Sequence, residues 1–435
     1  MPIQRAEHAF LPTGWARGHE AAVAPGSAAA VDWRLAGMPN LHSHAFQRAM
    51  AGLAERQSHP EDSFWTWREL MYRFAGRITP GAMRAVATQV YVEMLEAGYT
   101  SVCEFHYLHH QPDGRPYDDP GEMSQALIAA ARDAGIRLTL LPVLYMSGGF
   151  DGRALAERQR RFGHSLDAYL KLLQSLRARQ DATLAVGIAL HSLRAVPEAA
   201  LRDVLAAVGN DRMPIHIHIA EQIGEVQDCL ALRGARPVEW LLANADVDAR
   251  WTLVHATHLV PAEVQGIARS GATVAICPTT EANLGDGLFP FGDFLRAGGR
   301  WGIGSDSHVS VSPVEELRWL EYGQRLLTRH RNIAVSPAQP STGELLYSQA
   351  LAGGLRACGQ GDRASGDFIV LDAGAPALAG ATRDDLLDRF VFAGNRPLVR
   401  ETHVAGERVV AGGQHRDREA VARRYSLAIT GLLAD

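Results

Sequence analysis

The sequence has 435 residues, 47% of them hydrophobic and 21% charged, which is typical of a globular protein with a substantial buried core. Its formal net charge of -5, without a clustered basic stretch, argues against a nucleic-acid partner, because phosphate binding needs a concentrated positive surface. No uninterrupted apolar run approaches the roughly 18 to 20 residues that cross a bilayer, so we expect no membrane partner.

The cysteines and the first residues bear on the cellular compartment. The four cysteines are scattered and never form C-x-x-C, which is typical of reduced thiols in a cytosolic protein. Residues 1–14 carry charges and lack an apolar stretch of signal-peptide length. We therefore expect a cytoplasmic protein.

A regular alternation of helical and strand patterns follows the weakly patterned stretch 1–36. Helical periodicity marks 80–97 and 121–134, and β-rich runs follow each of them. With the predicted strand that ends at His42, the sequence has eight candidate strands. The other seven are 100–105, 137–145, 183–190, 213–219, 251–254, 273–276 and 301–304. Repeated units of this kind predict an α/β fold, a distorted (β/α)8 TIM barrel. The alternative, an open doubly wound sheet, would normally show a G-x-G-x-x-G turn, and we find none.

The pattern changes after two further predicted helices, 313–330 and 342–357. Short strands are predicted at 366–371, 389–393 and 402–410, separated by Gly, Pro and Asn turns. They indicate a small β-sandwich domain, whose sheet residues 1–36 would complete. We therefore expect a composite β domain over 1–36 and 364–435 and a catalytic barrel over 37–363.

Imidazole and carboxylate side chains stand at the carboxyl ends of four of the predicted strands. They are His42 and His44 on the first strand, His218 and Glu221 on the fifth, His255 and His258 on the sixth, and Asp306 on the eighth. Barrel enzymes build their active sites at the carboxyl ends of the strands, and residues two apart on a strand share a face. A lone histidine is more often a core residue, and Asp306 alone could be a helix cap. Together they predict a metal site of His42, His44, His218 and Asp306, with Glu221 near the metal-bound water.

Four strand-end motifs resemble the signatures of the amidohydrolase superfamily, in its mononuclear deaminating branch. The motifs are L-H-S-H at 41–44, H-I-A-E at 218–221, V-H-A-T-H at 254–258 and G-S-D-S at 304–307. The dinuclear branch uses a carboxylated lysine after the fourth strand, where this chain has Leu190-His191-Ser192-Leu193-Arg194. The resemblance therefore implies one divalent ion per chain, zinc, although imidazole-rich sites also suit iron, cobalt or nickel.

Shorter pieces are similar to the formimidoylglutamate deiminases within that branch. They lie at 44–48, 64–68, 104–110 and 191–194. This resemblance implies hydrolysis of N-formimidoyl-L-glutamate to N-formyl-L-glutamate and ammonia, a step of histidine degradation, by a homodimer. It also implies a small-molecule substrate with two carboxylates.

The resemblance suggests a role for each candidate residue. Arg68 and Arg194 would bind the substrate carboxylates, because guanidinium matches carboxylate in a bidentate way. Gln47, Tyr107 and His191 would supply directional hydrogen bonds.

For the chemistry, Glu221 would act first as base and then as acid. His255 would polarise the formimidoyl group and stabilise the tetrahedral adduct, and Asp306 would accept the last hydroxyl proton.

Two other interpretations remain open from the sequence. A deaminase of guanine or a related heterocycle would keep the metal site and change the pocket, which would then need aromatic and amide groups facing a flat ring. A non-catalytic barrel would be a binding or scaffold protein, but it would be expected to have lost some of these side chains. An assay of ammonia release separates the first alternative, and metal analysis tests the second.

Overall fold

The structure, a computed structural model, describes residues 2–56, 64–209, 211–360 and 364–434. Its strands in chain order are β1 (Ile3–Leu11), β2 (Gly14–Ala22), β3 (Ala30–Ala36), β4 (Met38–Ser43), β5 (Tyr99–His106), β6 (Arg137–Leu144), β7 (Leu184–Val186), β8 (Ile188–Ser192), β9 (Ile215–Ile219), β10 (Trp251–His255), β11 (Thr273–Ile276), β12 (Arg300–Ile303), β13 (Phe368–Leu371), β14 (Val399–Val404), β15 (Glu407–Ala411) and β16 (Gln414–His415).

Helices follow most of the barrel strands and cover them. They are α1 (Phe64–Ala75), α2 (Pro80–Ala97), α3 (Glu122–Ala134), α4 (Leu166–Arg177), α5 (Glu198–Val208), α6 (Ile223–Arg233), α7 (Pro237–Asn244), α8 (Pro261–Ser270), α9 (Pro278–Leu284), α10 (Phe291–Arg296), α11 (Pro313–Thr328), α12 (Thr342–Ala357), α13 (Leu386–Phe392) and α14 (Arg418–Leu433). Short 3-10 helices span Ala45–Met50, Glu157–Phe162, Ala364–Gly366 and Pro376–Leu378.

The strands β4 to β12 form the predicted parallel barrel, which is confirmed. Neighbours pair in the order β4, β5, β6, β8, β9, β10, β11 and β12, with β7 beside β6. Strands β5 and β6 are buried along their whole length, as expected of a parallel sheet covered on both faces. The fourth predicted barrel strand is divided into β7 and β8 at Gly187. A Cβ at Gly187 would lie 2.6 Å from the carbonyl oxygen of Pro214.

The barrel closes where its first and last strands meet. The amide of Asp306 donates to the carbonyl of His42 at 2.9 Å, and the amide of His44 donates to the carbonyl of Asp306 at 3.1 Å. Ser43 and Asp306 thus form a parallel bridge just beyond the ends of β4 and β12. The closure brings the two chemistry-bearing strand ends side by side.

Helix α2 has the boundaries that the sequence predicts, and its ends explain them. The hydroxyl of Thr79 accepts from the amide of Ala82 at 3.2 Å, and Pro80 occupies the first helical position. The helix ends at Gly98, which adopts a left-handed backbone with φ of 107°. Helix α11 ends at Thr328, two residues before the predicted limit, because Arg329 adopts a φ of 60°.

Both parts of the chain outside the barrel contribute to one small sheet, as predicted. Seven strands pair in the order β16, β15, β14, β13, β3, β1 and β2. Strand β3 runs antiparallel to β13, with Ala36 opposite Phe368, and parallel to β1. The predicted strand 402–410 is two strands, β14 and β15, joined by Ala405 and Gly406, which both have positive φ.

The predicted strand at 389–393 is wrong, because these residues belong to the end of helix α13 and its cap. Leu386, Leu387, Phe390 and Val391 are buried at helical spacing, and the helix packs against α12. Short apolar runs such as R-F-V-F do not distinguish strand from helix by composition.

The last helix, α14, was not predicted either, and it packs along α2. The guanidinium of Arg77 donates to the carbonyl of Leu432 at 3.1 Å, and the hydroxyl of Tyr425 donates to the carbonyl of Arg48 at 3.3 Å. Among the described residues, no helix combines the length and apolar character needed to cross a membrane.

Candidate active site

The four predicted metal ligands converge at the carboxyl end of the barrel. The Nε2 atom of His42 lies 3.1 Å from Nε2 of His44 and 3.0 Å from Nε2 of His218. The Oδ1 atom of Asp306 lies 3.3 Å from Nε2 of His42 and 3.4 Å from Nε2 of His44. All four side chains are buried, so the described structure holds a compact three-histidine, one-carboxylate cluster.

The hydrogen bonds behind this cluster indicate that it fits a divalent cation. Nδ1 of His44 bonds to the carbonyl of Phe105 at 2.9 Å, and Nδ1 of His218 bonds to the carbonyl of His191 at 3.0 Å. A carbonyl can only accept, so each Nδ1 carries the hydrogen and each Nε2 presents a lone pair. Two imidazole lone pairs that converge beside a carboxylate suit a divalent cation, and imidazole with carboxylate is a donor set that zinc takes.

The three histidines of the cluster also have the protonation state that metal binding needs. Burial lowers the pKa of His42 and of His218 well below the ordinary value, and neighbouring imidazoles lower it further. Burial also lowers the pKa of His44, although Asp306 partly opposes that shift. The neutral imidazole is the form that coordinates metals.

Left-handed backbone conformations direct several side chains at the strand ends. The φ angles are 50° at Ala220, 67° at His255 and 47° at Asp306. Such conformations are unfavourable for residues other than glycine and tend to persist where function requires them. Here they turn the chain at the ends of β9, β10 and β12, so that His255 and Asp306 face the cluster.

Glu221 and His255 lie beside the predicted ligands, as expected from the sequence. Nε2 of His255 lies 3.8 Å from Oε1 of Glu221 and 3.8 Å from Oδ2 of Asp306. Burial raises the pKa of Glu221, against the lowering effect of His255. Burial would lower the pKa of His255, but Glu221, Cys277 and Glu281 together outweigh it and hold that pKa well above its usual value. The pair can therefore hold a proton next to the cluster.

One cavity connects this cluster to all five predicted substrate-binding residues, which are Gln47, Arg68, Tyr107, His191 and Arg194. Nε2 of Gln47 donates to the hydroxyl of Tyr107 at 2.9 Å, while its Oε1 is buried without a hydrogen-bond partner among the described residues. Arg68 lies on α1 and donates to the hydroxyl of Tyr72 at 2.6 Å. The two arginines give this cavity fixed positive charge.

Tyr145 and Glu225 are two of the cavity residues that sequence reasoning missed. The ring of Tyr145 packs edge-on against that of His191, with ring centroids 4.4 Å apart. Oε2 of Glu225 accepts from the amide of Glu221 at 3.1 Å. Burial lowers the pKa of Arg194, but Tyr145, Glu225 and Tyr72 together outweigh it and raise the pKa above its ordinary value. The position of Tyr145 at the end of the third predicted strand could have identified it.

A third missed residue, Glu281, lies on α9 behind the cavity. It is buried and lies against His255. The sequence carries only one signal for it, an acid in the first turn of the helix that follows the seventh barrel strand. That signal alone is typical of an ordinary helix start.

Comparison with known proteins assigns this chain to a family. A sequence model described as the amidohydrolase family matches residues 33–344. Formimidoylglutamate deiminase of Pseudomonas aeruginosa is 54% identical over 448 residues, covering 98% of this chain and 99% of that protein. The chain belongs to the amidohydrolase family. The family resemblance of the strand-end motifs is thereby confirmed.

Other amidohydrolases share the whole fold. The crystal structure of an amidohydrolase from Brucella melitensis has a TM-score of 0.94 at 45% identity and covers 100% of both chains. A 5-methylthioadenosine/S-adenosylhomocysteine deaminase of Natronomonas pharaonis is 26% identical over 391 residues, which cover 89% of this chain and 83% of that protein. Members with different substrates therefore resemble this chain over most of its length, and the cavity must distinguish among them.

Proposed function

We propose that this protein hydrolyses N-formimidoyl-L-glutamate to N-formyl-L-glutamate and ammonia. The observation that carries the proposal is the single cavity in which two arginines, Arg68 and Arg194, accompany the histidine and carboxylate cluster. A substrate with a cationic amidine and two carboxylates, one beside the amidine and one at the far end of the molecule, matches that distribution of charge. The similarity to the deiminase of Pseudomonas aeruginosa supports the same substrate.

We assign His42, His44, His218 and Asp306 as ligands of one zinc ion. Imidazole and carboxylate together suit zinc, and the converging Nε2 lone pairs support a single centre. When bound, the ion would make water nucleophilic at neutral pH by lowering the pKa of that water to about 7. The residues around the ion then control where the protons go.

Glu221 moves the protons of the reaction in this proposal. Its carboxylate takes a proton from the attacking water as the water oxygen bonds to the formimidoyl carbon. It then delivers a proton to the terminal nitrogen as the bond from that carbon to nitrogen breaks, and ammonia leaves. His255 polarises the formimidoyl group and stabilises the adduct through Nε2, and Asp306 accepts the remaining hydroxyl proton when the adduct collapses.

The remaining cavity residues orient the substrate. Arg68 and Arg194 bind its two carboxylates with charge-assisted hydrogen bonds. The unpartnered Oε1 of Gln47 is an acceptor suited to a formimidoyl N–H, and Tyr107 and His191 add hydrogen bonds along the substrate. These contacts suit a linear ligand that carries two carboxylates.

We further propose that the protein is a cytoplasmic homodimer whose barrel spans 37–363 and whose composite β domain spans 1–36 and 364–435. The four free, buried cysteines are consistent with a reducing compartment. Light scattering on the purified protein tests the dimer, and limited proteolysis tests the domain limits. A monomer, or cleavage that does not respect these limits, would contradict the respective part.

A substrate panel tests the main proposal directly. The purified, zinc-loaded protein is assayed for ammonia release from formimidoylglutamate, formimidoylaspartate and guanine, and its metal content is measured. We expect about one zinc per chain and the highest kcat/KM for formimidoylglutamate. Preferential turnover of guanine would contradict formimidoylglutamate as the substrate. The absence of a stoichiometric divalent ion would contradict the proposed metal site.

A further inference from the structure

Glu281 holds the imidazole of His255 from the side opposite the cavity. Oε1 of Glu281 lies 3.2 Å from Nδ1 of His255, and the same oxygen accepts from the amide of Cys277 at 2.9 Å. The exposed fractions of His255 and Glu281 are only 1% and 4%. On the other side of the ring, Nε2 faces Glu221 and Asp306.

This contact determines which nitrogen of His255 faces the cavity. An ionised carboxylate can only accept, so Nδ1 must donate to Glu281, and Nε2 is the nitrogen left to face the cavity. The bond from Cys277 fixes the carboxylate in turn, because it ties the same oxygen to the backbone at the start of α9. Without Glu281, the buried ring would lose the partner that selects its orientation.

We propose that Glu281 is a positioning residue that holds Nδ1 of His255 and so fixes the direction of the ring, which brings Nε2 to the reacting group. This inference rests on the proposed function, in which His255 stabilises the tetrahedral adduct. It adds a residue that never touches the substrate and acts only through the imidazole.

Two other roles for Glu281 give different expectations. As a helix cap only, it would stabilise α9 and affect activity without involving His255. As a metal ligand, it would act with His255 and Cys277, since the three residues offer ligand atoms within 4.8 Å of one another. The structure favours positioning, because the oxygen that contacts His255 already accepts a backbone amide.

The chain offers a matched control in Glu316, another buried carboxylate bonded to α9. It accepts from the amide of Thr279 at 2.9 Å and from the hydroxyl of Thr279 at 2.6 Å. It neither lines the cavity nor forms a hydrogen bond or ion pair with His255. A Glu316→Gln variant therefore reports what a disturbed helix start does on its own.

The first measurement is a double-mutant cycle with formimidoylglutamate. Glu281→Leu should lower kcat by about 10- to 100-fold, the usual effect of losing such a partner, with KM changed less than about twofold. The kcat of Glu281→Gln should lie between those of the wild type and Glu281→Leu, because the amide oxygen can still accept from Nδ1. Glutamine also has the size and shape of glutamate, so this variant can be measured if the leucine variant folds poorly. In a His255→Asn background, either change should cause no further loss, whereas Glu316→Gln should be close to wild type.

The second measurement needs no turnover. Crystal structures of the wild type and the Glu281→Leu variant should differ in the direction of His255, with Nε2 moved away from Asp306 in the variant. If the wild type releases no ammonia from formimidoylglutamate but the ring moves, the proposed function fails and the positioning role stands.

Three results would overturn the inference while leaving the function intact. They are equal losses from Glu281→Leu with and without His255, an unmoved ring in the variant, and a second metal equivalent that Glu281→Leu removes.

Discussion

The backbone amide of Asp306 donates to the carbonyl of His42 at 2.9 Å, and the side chains of the same two residues meet at 3.3 Å. Closure of the barrel and assembly of the histidine and carboxylate cluster therefore share this pair of residues. A barrel that failed to close between β4 and β12 would also lose the cluster. Conversely, an ion bound there would link the first and last strands.

Replacing Glu221 with glutamine should abolish most of the turnover. General acid–base groups contribute about 100- to 10,000-fold, so kcat should fall within that range. Glu221 is not among the assigned ligands, so the zinc content should remain near that of the wild type. An exposed acid on α5, Glu198, provides the control as Glu198→Gln. Near-normal ammonia release by the Glu221 variant would exclude the proton-transfer role.

Replacing Arg194 with methionine should weaken substrate binding. A hydrogen bond to a charged group contributes about 1.5–3 kcal/mol, so kcat/KM should fall by about 10- to 100-fold, mainly through KM. Metal content should not change. Arg202, which forms an exposed pair with Glu198 on α5, supplies a control variant, Arg202→Met. Loss of metal in the Arg194 variant would contradict a role in carboxylate binding.

Removing the metal should lower both activity and thermal stability. Chelation leaves converging imidazole lone pairs beside a buried carboxylate, and an ion at about 100 times its Kd stabilises the fold by about 2.7 kcal/mol. We expect added zinc to restore ammonia release and the melting temperature. The Asp306→Ala variant should show little response of its melting temperature to chelator. If chelator also left the melting temperature of the wild type unchanged, that result would argue against a structural link through the ion.

Gly353 on α12 should not tolerate a side chain. A Cβ at this position would overlap the carbonyl oxygen of Trp301 on β12, so Gly353→Ala should destabilise the fold by about 1–3 kcal/mol through overpacking. Gly431 on α14 has open space where a methyl group would lie, so Gly431→Ala should be neutral or stabilising. Denaturant unfolding of both variants measures the difference. Equal stability would show that the helix can shift away from β12.

Stability should fall in mild acid because of a histidine cluster beside the barrel. His106, His109, His110 and His164 are buried together, with ring centroids of His109 and His164 4.4 Å apart. Burial, assisted by neighbouring imidazoles, lowers the pKa of His106 and of His164 from 6.5 to about 3.

The sign follows from comparing the folded and unfolded chains. Between pH 6.5 and about 3, the unfolded chain binds protons that these two folded histidines exclude. Their stabilising effect is therefore complete above pH 6.5 and is lost as the pH falls, by up to about 1.4 kcal/mol per pH unit for each histidine. His164→Gln should reduce that slope in urea unfolding, and the exposed His330→Gln should leave it unchanged. Identical slopes would contradict the assignment.

Much of the barrel was predictable because each strand repeats the same physical pattern. Apolar runs ending in His42, His218, His255 and Asp306 indicated both the strand order and the cluster, since parallel strands end at one edge. The position of Glu281 could not be predicted in this way. Its contact with His255 joins residues 26 apart on different elements, and no local pattern encodes it.

Outside the barrel, local patterns were weaker. Residues 389–393 have the composition of a strand, but contact with α12 stabilises a helix there. The small sheet was predictable only as a composite of both ends of the chain. Strands β1, β2 and β3 pair with one another, and the other neighbour of β3 is β13 from the carboxyl-terminal part.

The pairing of β3 with β13 has a consequence for how the chain is made. Ala36 leaves the ribosome more than 300 residues before its partner Phe368, since synthesis proceeds from the amino end. During that interval the edge of β3 is open to other chains, and newly made protein should be most prone to aggregate before residue 368 emerges.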